Sequence, residues 1–329
     1  MIDAEERTDG SLEPIPAGCQ AVDISVVIVS WNARKFLEEC LESLEMPSKR
    51  SHEVIVVDNA SSDGSPEMVA ARFPSVILIQ TGANLGFSRG NNVGIRRSRG
   101  KYLALINSDA RVLNGCLDQL AEFLDEHEDV GMVGPRVMYG NMTQQSSCRS
   151  FPGPWNNFCE VFRLNRMFPA SEFFAGEHMF HFGYDRTREV EVLVGCFIMA
   201  RRFAVEQYGL LDEDFWMYGE DLDWSHRCRN TGWKVCFYPT AEAIHHCGGS
   251  SANDPDRFLQ VQQRARVLLW RKHHMLLKRL ALTILASVYF GVRLVRSFML
   301  LVISPESQRR NRERIALEVK CLKELWEID

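Results

Sequence analysis

Four short runs, ISVVIVSWN (24–32), EVIVVDN (53–59), VILIQ (76–80) and YLALINSD (102–109), constrain the fold of this chain more than anything else in it. Each is almost continuously apolar and rich in β-branched residues, the mark of a strand buried on both faces. Between the first two, ARKFLEECLESL sets Phe36, Leu37, Cys40, Leu41 and Leu44 at helical spacing. After the second, SSDGS turns the chain into an expected helix over 65–72, and another is expected near 88–98. Strands that alternate with helices predict an α/β fold, a mostly parallel sheet flanked by helices in a Rossmann-like arrangement.

The rest of the 329 residues is less regular. Residues 1–22 are acidic and polar and read as a disordered leader. They have no signal-peptide pattern, so a cytoplasmic body is expected. The stretch 135–185, rich in Phe, Pro, Gly, Asn and Met, predicts long loops of the kind that shape an acceptor site. VEVLVGCFIMARR (190–202) reads as a strand entering a short helix, and KVCFYP and EAIHH as two further strands. A helix is expected from the acidic cluster at 220 through WSHRCRN, with Gly232 as its stop. Ten cysteines without a C-x-x-C read as reduced, buried small hydrophobes rather than a disulfide framework or zinc site. A net charge of −5 argues against a nucleic-acid partner.

Ligands of open α/β sheets bind beyond the carboxyl ends of the strands. Polar clusters fall at three such ends: Ser30-Trp31-Asn32, Asp58-Asn59 and Asn107-Ser108-Asp109. Together they point to a nucleotide pocket. Neither G-x-G-x-x-G nor a P-loop is present; GIRRSRGKY (94–102) has one residue too many between its glycines and lacks the Ser/Thr after Lys101. NLGFSRGNNVG (84–94) reads either as a loop that brings backbone close to a ligand or as a turn with an Asn cap. Asp109 could cap a helix, or serve as an oxygen ligand for Mg2+ or Mn2+ holding a diphosphate. His245 and His246 end another strand. In MYGEDLDW (217–224), Glu220, Asp221 and Asp223 could simply offset a helix dipole. Their apolar neighbours Met217 and Tyr218 suggest a second use. A desolvated carboxylate beside another carboxylate has a raised pKa and suits a general base.

VSWN, VVDNASSDGS, NLGFSRGNN, INSD, DEDFWMYGEDLDW and HHCGGSS, in this order and spacing, resemble glycosyltransferase family 2, and within it the bacterial rhamnosyltransferase-like members. The resemblance runs from about Ile24 to Ser251 and is specific as a set. It implies a GT-A fold over 23–256, with a nucleotide-sugar-binding half (23–134) and an acceptor-binding half (135–256), followed by a basic and apolar helical region (257–329). It implies inverting transfer of a sugar, rhamnose being the expected one, from a dTDP- or UDP-sugar to a hydroxyl of a cell-envelope glycan or polyprenyl-linked acceptor. By position, Asp58 would bind the pyrimidine base with Ser30 and Asn32 nearby. Asn84, Gly86, Arg89, Asn92 and Asn107 would complete the donor site. Asp109 and His245 would hold Mg2+ or Mn2+, Asp221 would be the base with Glu220 beside it, and Trp216, Tyr218 and Asp223 would meet the acceptor. Two positions depart from the family pattern: Asn107 replaces a usual Asp, and Arg89 stands where small residues are usual. A non-catalytic nucleotide-sugar-binding scaffold is the alternative reading. A sugar-1-phosphate nucleotidyltransferase ranks last, because SWNARKFL is not the Gly-rich, Arg-containing loop it would need.

The tail adds a further expectation. From Phe258 to Arg314, Glu306 and Glu313 are the only acids, against twelve Lys and Arg. LALTILASVYFGVRLVRSFMLLVI (280–303) is long enough to span a bilayer, which needs ~20 apolar residues. It carries Arg293 and Arg296, and a central Arg costs ~2.5–3.5 kcal/mol on insertion scales. A helix lying on the inner face of the plasma membrane is therefore expected ahead of packing on the body, a homodimer contact or a true span.

Overall fold

The computed structural model describes residues 22–179, 181–246, 255–274, 276–303 and 308–326. The expected leader and the CGGSS segment lie outside these residues, apart from position 22. In chain order the elements are β1 (Val22–Ser30), α1 (Arg34–Leu44), β2 (His52–Asp58), α2 (Ser65–Arg72), β3 (Ile77–Gln80), α3 (Phe87–Arg97) and β4 (Gly100–Ile106). β5 (Ala110–Val112), α4 (Cys116–Glu126), β6 (Val130–Met138), β7 (Cys148–Arg149), α5 (Pro154–Val161) and α6 (Leu164–Met167) follow. Then come β8 (Arg188–Glu189), β9 (Val192–Leu193), β10 (Phe197–Arg201), α7 (Arg202–Tyr208), α8 (Glu220–Asn230) and β11 (Lys234–His245). The last three are α9 (Pro255–His273), α10 (Leu276–Ile303) and α11 (Gln308–Trp326).

The described residues of 1–149, 184–216 and 220–250 form one compact unit, and those of 150–183, 217–219 and 251–329 form a second. This division cuts across the sequence-based boundary at 256. Segment 150–183 joins the C-terminal helices because α5 packs on α10, and because Glu177 is shared. Glu177 accepts from Asn157 Nδ2 of α5 at 2.9 Å and from Arg266 Nη2 of α9 at 3.1 Å.

In the first unit, nine strands among the described residues form one sheet in the order β3-β2-β1-β4-β10-β6-β11-β5, with β8 beside β11. β1 to β4 pair in parallel, as expected of runs whose Ile24, Val26, Val27 and Ile28 are fully buried. Beyond β4 the sheet is mixed: β10 runs antiparallel between β4 and β6. Two expectations are corrected in detail. VEVLVGCFIMARR divides into β9 and β10, because the Gly195 N–H is given to a side chain rather than to a strand. KVCFYP and EAIHH form the single strand β11, with a register shift between Tyr238 and Glu242 where Pro239 has no N–H to donate. The eight described cysteines are all buried and none is in a disulfide, and burial pushes the thiols of Cys40, Cys148 and Cys228 up to about 12.

The strand order places the site. The chain goes from β1 to β2 and β3 on one side, then returns to set β4 on the other side of β1. The carboxyl ends of β1 and β4 therefore flank a topological switch point, where a crevice opens.

Candidate active site

Ser30 and Asp58 end β1 and β2 and are direct cross-strand partners. Both are buried, at 1% and 2% exposure. Asp58 Oδ2 accepts the Ser61 N–H at 3.0 Å, but Asp58 Oδ1 and Ser30 Oγ have no hydrogen-bond partner. Leaving a buried polar atom unpaired costs ~1–3 kcal/mol, so two side by side mark a place built for polar atoms from outside the protein. Asn32, at φ 49°, accepts the Ser62 N–H on its Oδ1 at 2.8 Å and gives its own N–H to Ser61 Oγ at 2.9 Å. It shapes the loop that rims this pair.

The 84–94 loop is anchored from three directions. Asn84 Oδ1 accepts the Gly86 N–H at 3.0 Å. Asn59 Nδ2 donates to the Gly86 carbonyl at 2.9 Å, and the Phe87 N–H to the Trp216 carbonyl at 2.7 Å. Gly86 has φ 83° and ψ −173°, a conformation open essentially to glycine alone. A Cβ there would lie 2.3 Å from the Trp216 carbonyl oxygen. Asn92 bonds Leu211 through both ends of its amide and reaches Glu213 at 2.9 Å, so it clamps the 211–213 loop. Arg89, 3.3 Å from Glu213, lies in an exposed ion pair.

Beyond β4, the Asn107 carbonyl accepts the Ala110 N–H at 3.0 Å in a tight turn that brings Asp109 back towards β11. His245 at the end of β11 then lies with Nε2 3.1 Å from Asp109 Oδ1 and 3.3 Å from Asn107 Nδ2. Its other ring nitrogen, Nδ1, is 3.1 Å from the Gln145 amide, which orients the ring. Asn107 Oδ1 is buried without a partner. Among the described residues no three His, Cys, Asp or Glu side chains converge as a metal cluster. What does converge is one carboxylate, one imidazole and the Asn107 amide, whose Nδ2 faces the imidazole.

The acidic cluster opens α8 as expected. Just before it, Tyr218 (φ 66°) and Gly219 (φ 86°) are both left-handed, which for a bulky Tyr is strained. The three acids then diverge. Asp223 is taken up by Arg227, whose guanidinium is 2.7 Å from it and also donates to the Tyr208 and Leu210 carbonyls. Glu220 is buried with Oε2 unpartnered, and burial, seconded by the Asp221 charge, pushes its pKa well up. Asp221 forms no ion pair among the described residues. It accepts the Gly195 N–H on Oδ2 at 3.0 Å and the Leu222 N–H on Oδ1 at 2.9 Å. Burial raises its pKa, while these two N–H groups and the Arg149 charge oppose the rise. Burial thus raises both carboxyls of this pair, Glu220 the more strongly.

Gly195 joins the pieces. The Asn107 N–H bonds the carbonyl of the adjacent Cys196 at 3.0 Å, so the residue that steadies Asp221 is one peptide from the partner of Asn107. A Cβ on Gly195 would lie 3.4 Å from the Asp221 Cβ and 3.8 Å from Phe87. Asp221, the 84–94 loop and the Asn107–Asp109 turn thus meet around one glycine. Gly195, Gln145 and Arg149 were missed from sequence. Each acts across a long stretch of chain, and no local pattern marks it.

The sheet order is that of a GT-A fold. The fold is similar to that of the mannosyltransferase PcManGT from Pyrobaculum calidifontis, solved with GDP-Man and Mn2+ (TM-score 0.54, 17% identity, covering 98% of this chain and 92% of that one). It is also similar to that of GalNAc-T7, solved with UDP, GalNAc and Mn2+ (TM-score 0.53, 15% identity, 76% and 50%). Residues 25–209 match Glycosyl transferase family 2, and the chain belongs to that family. Among its relatives is the N-acetylglucosaminyl-diphospho-decaprenol L-rhamnosyltransferase of Mycobacterium tuberculosis, 27% identical over 276 residues, 76% of this chain and 85% of the relative. Another is the succinoglycan biosynthesis protein ExoO of Rhizobium meliloti, 27% identical over 236 residues, 70% of this chain and 62% of the relative.

Proposed function

We propose that this glycosyltransferase moves a sugar, with inversion, from a nucleotide-diphosphate donor to a hydroxyl of a lipid-linked cell-envelope glycan at the cytoplasmic face of the membrane. The observation that carries the reading is the state of Asp221: oriented by two backbone N–H groups, raised in pKa, and in no ion pair among the described residues. Such a carboxylate accepts a proton at a defined position. As Asp221 takes the acceptor's O–H proton, the oxygen attacks the anomeric carbon. The bond from that carbon to the diphosphate breaks, and its electron pair leaves with the nucleotide. One displacement from the opposite face inverts the configuration.

Ser30 Oγ and Asp58 Oδ1, both without internal partners, supply an acceptor and a hydroxyl for the donor's base. An imide N–H, as in uracil or thymine, suits the Asp58 oxygen. Asp109, His245 and the orphaned Asn107 Oδ1 fit a divalent cation, with oxygen and imidazole donors suited to Mn2+ or Mg2+. Bound there, the cation would stabilise negative charge on the departing diphosphate. Rhamnose as the sugar and a polyprenyl diphosphate as the acceptor's anchor are suggested by the mycobacterial relative's activity.

The test is nucleotide release from a panel of dTDP-, UDP- and GDP-sugars, with a polyprenyl-diphosphate-linked N-acetylglucosamine as acceptor, with and without Mn2+. One donor should release nucleotide only in the acceptor's presence, giving a product of opposite anomeric configuration. Retained configuration would remove the single-displacement mechanism, and no turnover of any donor would remove the substrate class.

A further inference from the structure

Among the described residues one helix, α10, is long and apolar enough to cross a membrane. Its surroundings rule that out. One face carries Leu282, Ala286 and Phe290, all buried against Trp270 of α9 and Leu317, Cys321 and Leu325 of α11. On that face Arg293 Nε meets Glu318 Oε1 at 3.2 Å, and Ser297 Oγ lies 3.3 Å from the same oxygen. The Arg293 charge, which in the sequence alone argued against a true span, is thus paired inside the unit. α11 packs along α10 and carries Arg312, Glu313, Arg314, Lys320 and Lys323, which a bilayer core would not accept.

The opposite face of α10 is also apolar, and it is uncovered. Leu277, Ile284, Val288, Val292, Val295 and Met299 are 40–80% exposed. Their spacing of three, four and seven residues sets them in one stripe, ~33 Å long at about 1.5 Å per residue. A monomer does not leave such a stripe bare without use. Lys278 and Arg296 are exposed along one edge of it, where long basic side chains reach past an apolar surface. In an antiparallel two-fold pairing centred near Ser287, Lys278 of one copy would meet Arg296 of the other, and like charges oppose that. An anionic surface suits both.

We infer that α10 seats this protein monotopically in an anionic lipid surface, its 277–299 stripe sunk to the level of the headgroup–acyl boundary and Lys278 and Arg296 at the phosphates. This deepens the proposed action on a lipid-linked acceptor, whose reacting end lies at that surface, but it is tested without reference to turnover.

The test uses the full chain and sedimentation with vesicles of phosphatidylcholine containing phosphatidylglycerol, against phosphatidylcholine alone. The native protein should partition at least tenfold more strongly onto the anionic vesicles. The triple variant Val288→Glu, Val292→Glu, Val295→Glu should lose at least tenfold, and Lys278→Glu with Arg296→Glu should abolish the preference for anionic lipid. All should keep the native circular dichroism and melting transition. A Trp at Val288 should be quenched most by lipids brominated near the headgroup end of the acyl chain. Deep quenching at mid-bilayer would overturn the monotopic seat. Unchanged partitioning of the folded triple variant would overturn the surface, as would its conversion of a stable dimer to monomer with no vesicle binding in either form. The triple variant should still turn over a water-soluble acceptor. Loss of vesicle binding with retained turnover separates this inference from the proposed reaction.

Discussion

At the carboxyl edge of the sheet, Asp58, Glu220 and Asp221 are buried or half-buried acids that form no ion pair among the described residues, although the Arg149 charge is felt at Asp221. In the helical unit the acids that are buried among the described residues each have an arginine: Glu177 meets Arg266, Glu318 meets Arg293 and Glu324 meets Arg264. Conversely, the sheet's apolar runs are covered on both faces, while the stripe on α10 stands in solvent. The sheet edge lacks partners for polar atoms, and the helical unit lacks cover for apolar ones. Desolvated charge is tolerated only where something will use it, and bare apolar area only where something will cover it. The contrast recurs within one helix: Asp221 and Asp223 are two residues apart, and only Asp223 is given an arginine.

If that contrast is functional, removing an unpaired acid should cost rate and spare stability, and removing a paired one should do the reverse. The largest effect is expected at Asp221. Asp221→Asn should lower kcat by ~10²-fold or more, the scale of general-base catalysis, with donor binding and the melting temperature unharmed. Near-native turnover in steady-state kinetics would erase the distinction between Asp221 and Asp223. Next, Asp109→Ala should weaken donor binding ~10–100-fold in Mn2+ and leave metal-free binding unchanged, as calorimetry would show. Equal loss in both conditions would assign Asp109 to the fold.

A smaller effect is expected on the other side of the comparison. Glu177→Gln should cost about 1–2 kcal/mol, read as a drop of roughly 2–8 °C in melting temperature, with kcat unchanged on a soluble acceptor. The smallest effect is a shift in pH. Because Asp221 must be ionised to accept a proton, activity should fall as pH drops through its raised pKa. The Arg149 charge lowers that pKa, so Arg149→Met should move the acid limb of the kcat profile to higher pH. An unmoved limb would show that Arg149 holds only the Ser146 and Cys148 oxygens it already bonds.

Strands β1 to β4 were legible because a run such as VVIV has few alternatives to a strand buried on both faces. Their polar ends could be read for the same reason: where an apolar run stops at Ser30, Asp58 or Asn107, the sheet's edge must be near. The acidic start of α8 was equally plain, but not which acid would be unpaired. That depended on Arg227 one turn along and on Gly195, 26 residues back. The tail was legible in part. Arg293 and Arg296 look alike in sequence, yet one is neutralised inside the helical unit and the other faces solvent.

Local pattern alone determined that this chain builds an alternating sheet with polar atoms where its strands end, because burial periodicity and strand ends are properties of neighbours in sequence. Tertiary structure alone decided which of those atoms remain unpaired and which face of α10 remains bare. Whether a hydrogen bond or an apolar contact is satisfied depends on residues tens or hundreds of positions away, and the chain's order carries no sign of them.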